Sequence, residues 1–223
     1  MDQKYFSPSD QLTGAAFNAS GGGRFQGNYR GDSSLAANKG THVPEESNTS
    51  LWITKLPAST TIPALLAAIT KTGKVRSAVV NGPTEGRSTA AASLSFFRRE
   101  DAETLYRAGQ RGSFRVCGTA PQVFWNRNRV AGDGPPEASR VILVAGDPDV
   151  VSPEALTAYF STKFVFDVDT IIDHGTVPGY GGPIARCEYR FGSWRGQAVF
   201  AYLAITRELQ GRVLVEYGAD PCE

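Results

Sequence analysis

Histidine and cysteine, the side chains that most often carry catalysis or bind transition metals, are scarce in this sequence. Among its 223 residues are His42, His174 and three cysteines, Cys117, Cys187 and Cys222, all far apart. This spacing matches no zinc-ligand pattern, and three separated cysteines do not make a disulfide framework. We therefore predict no metal site, no bound cofactor and no histidine-dependent catalysis.

The remaining candidates for catalysis are carboxylates and glycine-rich loops. Asp147 and Asp149 flank Pro148 in a predicted turn, where short carboxylates commonly accept hydrogen bonds from their own backbone. The stretch Gly-Tyr-Gly-Gly-Pro at 179–183 lacks the lysine and hydroxyl residue of a phosphate-binding loop and fits a hairpin tip. We predict that the protein is not an enzyme.

Aromatic and basic side chains offer a different chemistry, because rings stack on nucleobases and cations pair with phosphates. Trp52 lies in the stretch Leu-Trp-Ile-Thr-Lys-Leu and Phe124 lies in Gln-Val-Phe-Trp-Asn, both of which are typical of strands. A ring on a strand is more often part of a core. These two rings are therefore binding candidates only if the rest of the sequence places them on an open face.

The direction of Phe124 depends on the register of its strand, because alternate side chains on a strand share a face. If Val123 and Trp125 point into the core, then Phe124 and its neighbours Gln122 and Asn126 point outward. A shift of one residue would bury Phe124 and expose Trp125 instead. The sequence leaves both alternatives open.

Charge is distributed unevenly along a chain whose formal net charge is only +1. Residues 49–127 contain 11 basic and 4 acidic side chains (net +7), whereas residues 128–223 contain 8 basic and 13 acidic ones (net −5). A positive surface attracts polyanions and a negative one repels them. Nucleic acid is therefore expected to contact the first of these segments.

Composition divides the chain into a tail (1–48), two long segments (49–127 and 140–223) and a linker (128–139) rich in Pro and Gly. The tail is rich in Gly, Ser, Asn and Ala and is predicted to be disordered. Its Arg24, Phe25, Tyr29 and Arg30 fit either a plain solvated tail or a segment that touches nucleic acid.

Apolar stretches in the sequence are short. None reaches the ~18 residues needed to span a bilayer, and the first residues have no apolar signal core. We therefore expect no membrane association and an intracellular protein, in the nucleus or the cytoplasm.

Both long segments show the same order of predicted elements. In the first, strands over 51–56, 74–81, 89–97 and 122–126 alternate with a helix capped by Thr60 or Thr61 and closed by Gly73, and with a helix around Leu105. In the second, strands over 141–145, 168–173, 184–191 and 212–217 alternate with helices that begin near Ser152 and Ser193, with a loop over 174–182. The repeated order predicts an α+β fold of two ferredoxin-like split β-α-β-β-α-β domains.

The first segment resembles the RNA recognition motif (RRM) family over residues 49–127. Its Leu-Trp-Ile-Thr-Lys-Leu stretch matches the six-residue motif of the family, with Trp52 at the base-stacking place. The eight-residue motif aligns with residues 89–96, where the stacking places hold Ala91 and Ser93 instead of rings. The resemblance implies that single-stranded RNA is bound by stacking, with modest and sequence-tolerant affinity.

In the fold of this family the last strand lies beside the first, so Trp52 and Phe124 are expected to form a pair across neighbouring strands. The predicted RNA site adds basic residues for the phosphates and the two outward polar residues of the last strand. These are Lys55, Arg76, Arg87 and Arg127, with Gln122 and Asn126.

The second segment resembles a degenerate RRM over residues 140–217. Ile142 stands at the place of Trp52, and the predicted outward residues are Arg186, Glu188, Arg190 and, on the last strand, Glu216. With no outward ring and a net charge of −5, this segment is expected to face a protein partner or to dock on the first domain. The alternative hypothesis for the whole chain is a protein-interaction module in which both sheets have drifted from RNA.

Overall fold

The computed structural model of the protein describes residues 43–223. The predictions for residues 1–42, which make up most of the tail defined by composition, lie outside the described residues. The strands are β1 (Ser50–Leu56), β2 (Val75–Asn81), β3 (Ala90–Phe96), β4 (Gln122–Trp125), β5 (Val141–Gly146), β6 (Val168–Gly179), β7 (Gly182–Phe191) and β8 (Val213–Tyr217). The helices are α1 (Ile62–Ala67), α2 (Arg99–Gln110), α3 (Pro153–Ser161) and α4 (Val199–Glu208), the last preceded by a π-helical turn (Trp194–Ala198). In the described part of the chain, no helix has the length and apolar character to cross a bilayer.

Two antiparallel sheets with the same topology run through residues 50–217. The strand order is β2-β3-β1-β4 in the first sheet and β6-β7-β5-β8 in the second. Each sheet buries one face against its two helices, and the two apolar cores are separate. This order confirms the predicted α+β fold of two split β-α-β-β-α-β units, which we call the first unit and the second unit.

Helix α1 is shorter than the sequence predicted. Thr61 caps it, since its side-chain oxygen accepts a hydrogen bond from the backbone N–H of Ala64 at 3.3 Å. The helix ends at Ala67 and does not reach Gly73. The N–H groups of Thr72 and Gly73 instead donate to the backbone carbonyl of Cys222 at 2.8 and 3.0 Å, so these residues pair with a distant segment of the chain.

The predicted loop over 174–182 is a β-hairpin in the structure, with one shift of register between Asp173 and Thr176. β6 and β7 continue as two paired strands as far as Gly179 and Gly182, with Val177 opposite Ile184. Gly182 adopts a φ of +135°, which a residue with a side chain rarely adopts and which permits the tight turn at the tip. The prediction was wrong here because the Gly and Pro density marked the turn but not the paired strands that lead to it.

The last residues of the predicted tail are ordered. Asn48 is buried, its side-chain nitrogen donates to the backbone carbonyl of Asn126, and its side-chain oxygen accepts from the N–H groups of Ser50 and Val130. Asn48 also forms a β-bridge with Ala131 in the predicted linker. The tail assignment therefore needs correcting near residue 48, where one buried carboxamide joins three backbone segments.

The two units contact each other along the free edge of β2. The N–H of Ala78 donates to the carbonyl of Gly192 at 2.8 Å, and Ser77 forms an antiparallel bridge with Ser193. A Cβ on Gly192 would lie against the side chain of Ile62 and the carbonyl oxygen of Ala78, so glycine permits this close approach. The segment 192–193 thereby extends the first sheet beyond β2.

Residues 218–223, which we call the closing segment, run from the second sheet into the core of the first unit. Cys222 is fully buried among first-unit residues, and its Sγ lies 3.7 Å from the carbonyl oxygen of Leu66. Asp220 accepts a hydrogen bond from the N–H of Val75 at 2.8 Å. Burial raises the pKa of the Cys222 thiol to about 12, so it packs as a neutral group.

A fully buried arginine holds the closing segment in place. Arg140 pairs with Asp220 at 2.9 Å and with Asp169 at 2.8 Å, and it donates to the carbonyl of Phe191 at 3.2 Å. Burial alone would lower the pKa of Arg140, but the charge of Asp220 and the hydrogen bond that Arg140 donates to Asp169 help to outweigh it and leave the pKa raised. Its charge is compensated by two carboxylates, as a buried ion requires.

Candidate nucleic-acid interface

Trp52 projects from the outward face of the first sheet. Its neighbours Leu51 and Ile53 are fully buried in the first core, whereas Trp52 is half-buried, as alternation along β1 requires. Ser93 of β3 lies opposite it on one side and Phe124 of β4 on the other. The tryptophan therefore stands at the centre of the sheet, between the two strands that flank β1.

The packing of Trp125 decides the register of β4. Its ring stacks on Tyr106 of α2, with centroids 5.2 Å apart, and the guanidinium carbon of Arg99 lies 3.5 Å from its ring centroid. Trp125 thus lies on the helix side of the sheet, together with the buried Val123. The side chain of Phe124 consequently projects to the opposite face.

Trp52 and Phe124 form a cross-strand pair, which we call the aromatic pair. They are direct partners in the register of β1 and β4. The Phe124 side chain is 48% exposed, an unusual value for a large apolar residue on a strand. Cross-strand neighbours have Cβ atoms about 5 Å apart, close enough for the two rings to make one continuous apolar surface.

The β3 and β2 parts of the same face carry small side chains. Ala91 and Ser93 face outward on β3, and Val79 of β2, 40% exposed, pairs with Ser93. No ring stands at either of the two stacking places that the RRM resemblance assigns to β3. The face therefore has an aromatic half at β1 and β4 and a flat half at β3 and β2.

Lys55 leaves β1 at a backbone irregularity. Its φ is +60°, in the left-handed region, and the pairing of β1 with β3 shifts register between Ile53 and Leu56. Such bulges redirect a side chain away from the regular alternation. The ammonium group of Lys55 is exposed at this end of the strand.

Arg87, Arg127 and Gln122 are exposed around the sheet. Arg87 lies in the loop between β2 and β3, where its backbone pairs with Thr84, and Arg127 follows β4. Gln122 faces Thr54 across β1 and β4. Lys55, Arg87 and Arg127 form no ion pair with any residue in the described part of the chain, so their charges remain available.

Asn126 lies on the predicted face, but its carboxamide is engaged. The side-chain nitrogen donates to the Oγ of Ser93 at 3.0 Å, and the side-chain oxygen accepts from the N–H of Asn128 at 3.0 Å. The side chain therefore reaches across β1 towards β3. It supports the surface on which a base would lie, and its acceptor and one of its two donor hydrogens are already used.

Arg76 does not lie on the open face, so the prediction for this residue needs correcting. It is buried at an irregular point of β2, pairs with Asp133 at 2.6 Å and stands over the ring of Trp194 at 5.8 Å. Burial lowers the pKa of Arg76 more than Asp133 raises it. Arg76 joins the two units, a role that the sequence did not reveal because both partners are distant in the chain.

The acidic residues of the first unit lie mostly on α2, away from the sheet face. Asp101 pairs with Arg98, and Glu103 pairs with both Arg99 and Arg107. These pairs involve arginines of α2 and of its N-terminal end. None of them includes Lys55, Arg87 or Arg127.

The outward face of the second sheet carries a leucine and paired charged side chains, where the first sheet carries rings and small side chains. Leu143 pairs with Glu188 and Glu216, and Glu188 also contacts His174 and Arg190 at 3.2 and 2.6 Å. The place of Trp52 is therefore taken by Leu143. Ile142, which the sequence placed there, is fully buried in the second core. The predicted alignment of β5 with β1 was therefore shifted by one residue, which exchanges the inward and outward faces.

Sequence reasoning missed two features of the interface. Val79 was assigned to a strand without a direction, although its position between Ser77 and Asn81 would have placed it outward with them. The contact between β2 and residues 192–193 carries no local sequence signal, because it depends on how the two units dock. Within residues 43–223, no cluster of three or more His, Cys, Asp or Glu side chains is arranged to hold a metal ion.

The sequence of the chain matches no protein-family model and no curated protein. Among solved structures, the first two RRM domains of the yeast poly(U) binding protein are 16% identical, cover 76% of this chain and 99% of theirs, and superpose with a TM-score of 0.32. The RRM3 domain of Gbp2 is 22% identical and covers 41% of this chain and 92% of that domain, with a TM-score of 0.32. The RNA recognition domains 1 and 2 of Sex-lethal from Drosophila melanogaster are 18% identical over 77% and 100% of the two chains, with a TM-score of 0.27. At these values the likeness carries no argument about this chain, and function has to be argued from its own geometry.

Proposed function

We propose that this protein binds single-stranded RNA on the outward face of its first sheet, as an RNA recognition motif does. Bases stack on Trp52 and Phe124, and Lys55, Arg87 and Arg127 pair with the phosphates. Gln122 contacts base edges, and Asn126 supports the face. The action is binding without catalysis, in the nucleus or the cytoplasm.

The observation that carries the proposal is the aromatic pair itself. Phe124 is half-exposed and lies beside the outward Trp52. Nothing else in the described part of the chain gives a reason to leave so large an apolar ring in water. Exposing such rings to water is unfavourable, at ~25 cal/mol per Å² of apolar surface, and a stacking ligand removes that cost. Each stacked base contributes ~1–3 kcal/mol and can be any of the four, because every base has a π face.

The charge distribution favours a polyanion over a protein partner for this face. Lys55 near the end of β1, Arg87 in the β2–β3 loop and Arg127 after β4 form no ion pair within residues 43–223. In contrast, Arg98, Arg99 and Arg107 pair with carboxylates of α2. A hydroxyl, a methyl group and a valine continue the surface at Ser93, Ala91 and Val79. The flat half offers few specific contacts, so we expect modest affinity and little discrimination among sequences.

The experiment is a titration of fluorescently labelled single-stranded RNA with the full chain at two salt concentrations. Trp52→Ala and Phe124→Ala are each expected to weaken binding about 5- to 150-fold, the equivalent of ~1–3 kcal/mol. The affinity of the unmodified chain is expected to fall as salt rises, because phosphate contacts release counterions.

Tyr180→Ala provides the matched control, because Tyr180 is a fully exposed ring at the tip of the β6–β7 hairpin. Its removal is expected to leave the affinity unchanged. Binding that is insensitive to Trp52→Ala and Phe124→Ala would contradict the proposal. A chain that binds no RNA but captures a protein through residues 140–223 would favour the interaction-module hypothesis.

A further inference from the structure

The second unit borders the face that carries the aromatic pair. Ser77 of β2 bridges Ser193, and paired residues of neighbouring strands project to the same side of a sheet. The Oγ of Ser77 lies 2.8 Å from the Oγ of Ser95, which shares a face with Ser93 by alternation. Ser193 therefore lies on the outward face, at the edge opposite Phe124.

A second contact holds the residue after Ser193 against the first unit. Phe97 directly follows the last residue of β3, and its ring packs on Trp194 with centroids 5.3 Å apart. Phe97 belongs by sequence to the first unit but packs with the second core. The chain therefore leaves the sheet edge at Ser193, and Trp194 and Arg195 follow it at the junction of the two units, in contact with Phe97 and Asp133 respectively.

Arg195 is the exposed cation at this border. Its side chain is 67% exposed, and its contact with Asp133 is long, at 3.6 Å. Asp133 is held much more closely by Arg76, at 2.6 Å. One carboxylate therefore faces two guanidinium groups, whose proximity helps to lower the pKa of Arg76. The cluster carries one uncompensated positive charge, and Arg195 presents it to solvent.

We propose that Arg195 of the second unit binds an RNA phosphate and extends the first-sheet site across the junction of the two units. The inference rests on the proposed RNA binding and adds a residue that only the docked pair of units supplies. Arg76 and Arg195 share the single carboxylate of Asp133, so an anion bound at Arg195 would compensate the remaining positive charge. The second unit would then contribute to binding through its edge and not through its own sheet face.

The distances define the length of RNA that this site requires. From Trp52 on β1, the path crosses β3 and β2 to reach the segment 192–193, which is three strand spacings of ~4.8 Å, or about 14 Å. A dinucleotide that stacks on Trp52 and Phe124 lies at the other edge and does not cover this span. A longer strand crosses the flat half of the face, over Ser93 and Val79, and reaches Arg195.

The adjoining cleft does not offer a competing route for the phosphates. This cavity of about 310 Å³ is lined by Phe97, the 132–136 loop and several charged side chains. It contains Lys74 and Arg98, but three carboxylates also line it: Asp101, Asp133 and Glu223. Asp101 pairs with Arg98, Asp133 pairs with Arg76, and Glu223 offsets Lys74. The cleft therefore has no surplus positive charge to attract a phosphate, and the strand is expected to leave the face at Arg195.

The test measures the affinity of the full chain and of Arg195→Ala for a dinucleotide and for an oligonucleotide of roughly eight nucleotides. For the longer RNA, Arg195→Ala is expected to weaken binding roughly 3- to 10-fold and to reduce the slope of log affinity against log salt by about 0.7. For the dinucleotide, the variant and the unmodified chain are expected to bind equally. Arg195→Lys is expected to restore most of the affinity for the longer RNA.

Arg212→Ala is the matched control, because Arg212 lies in the same unit, is 56% exposed and pairs with Asp147 at 2.6 Å. It is expected to bind both RNAs normally. Equal affinity of Arg195→Ala and the unmodified chain for the longer RNA, while Trp52→Ala still loses affinity, would overturn this inference and leave the proposed function standing. Absence of RNA binding by the unmodified chain would overturn both.

Discussion

The two sheets of this protein have the same strand order but carry opposite chemistry on their outward faces. At the place where the first sheet has Trp52, with Phe124 beside it, the second has Leu143 between Glu188 and Glu216. The first face is surrounded by cations without ion pairs among the described residues, whereas the second is bridged by its own charges. One topology therefore supports two different surfaces, and the side chains on each decide its function.

The difference between the sheets also assigns their roles. The second unit closes the β2 edge of the first sheet, and its closing segment supplies Cys222 to the first core. The first unit is therefore incomplete without the second. The second unit stabilises the first through the β2 edge and the closing segment, and it leaves the aromatic half of the first sheet exposed to a ligand.

The largest expected effect concerns this structural dependence. Asp220→Ala leaves Arg140 fully buried without the carboxylate that accepts from two of its nitrogens, and it removes the acceptor for the N–H of Val75. Breaking a buried ion pair from one side typically costs ~3–5 kcal/mol. Thermal or urea unfolding of the full chain is expected to show a loss of this size. A loss below about 1 kcal/mol would mean that the closing segment is not required for the stability of the first unit. The same conclusion would follow if residues 49–130 alone were as stable as the full chain.

Stability at high pH provides a second test of the closing segment. Burial raises the pKa of Cys222 to about 12 and that of Cys187 to about 11, from 9.0. These thiols ionise at lower pH in the unfolded chain than in the folded one. Their contribution to the free energy of unfolding is therefore fully present below about pH 9 and is lost as the pH rises towards 12. Cys222→Ala is expected to flatten this dependence in unfolding experiments. Cys117→Ala, which changes an exposed cysteine, is expected to leave it unchanged.

A gain of affinity is expected when a ring is returned to the flat half of the first face. Ala91 occupies one of the two β3 stacking places and faces outward. Ala91→Phe is expected to strengthen RNA binding by ~1 kcal/mol or more, because it adds a surface for one further base. Titration with labelled RNA measures the change, and unchanged affinity would show that the strand does not cross β3.

Lys55 allows stability and binding to be separated. Its φ of +60° is strained for a residue with a side chain, and its exposed charge lies near the end of the strand that carries Trp52. Lys55→Gly is expected to raise the free energy of unfolding by ~0.5–1 kcal/mol and at the same time to weaken RNA binding and its salt dependence. Lys55→Ala is expected to weaken binding equally without the gain in stability. Equal stabilities of the two variants would contradict the assigned strain.

The smallest expected effect sharpens the comparison between the sheets. Leu143→Trp places an indole on the second sheet where the first has Trp52, but between Glu188 and Glu216. Because these carboxylates repel phosphates, RNA affinity is expected to change by less than about twofold. A clear gain would mean that a ring alone defines the site and that the charge around it is unimportant.

Local sequence signals predicted the elements that repeat with a period. The alternation of Leu51, Trp52 and Ile53 and the order of strands and helices were enough for the fold and for the outward direction of Trp52. The register of β4 was left open, because nothing in the sequence shows that Tyr106 and Arg99 hold Trp125 on the helix side.

Contacts between distant parts of the chain could not be predicted in the same way. The bond between Ala78 and Gly192, the burial of Arg76 and the docking of Cys222 depend on how the two units are arranged. No periodic pattern encodes such an arrangement. The sequence therefore assigned Arg76 to the ligand, where the structure gives it Asp133.

The most direct test of the account follows the three indole N–H signals of the chain by NMR during titration with single-stranded RNA. Trp52 lies on the proposed face, Trp125 lies under α2, and Trp194 lies at the junction of the units. The account predicts that the Trp52 signal shifts with the largest amplitude, that Trp125 stays nearly unchanged, and that amides of β1 and β4 shift while those of β5 and β8 do not. An unmoved Trp52 signal in the presence of bound RNA would contradict the central claim.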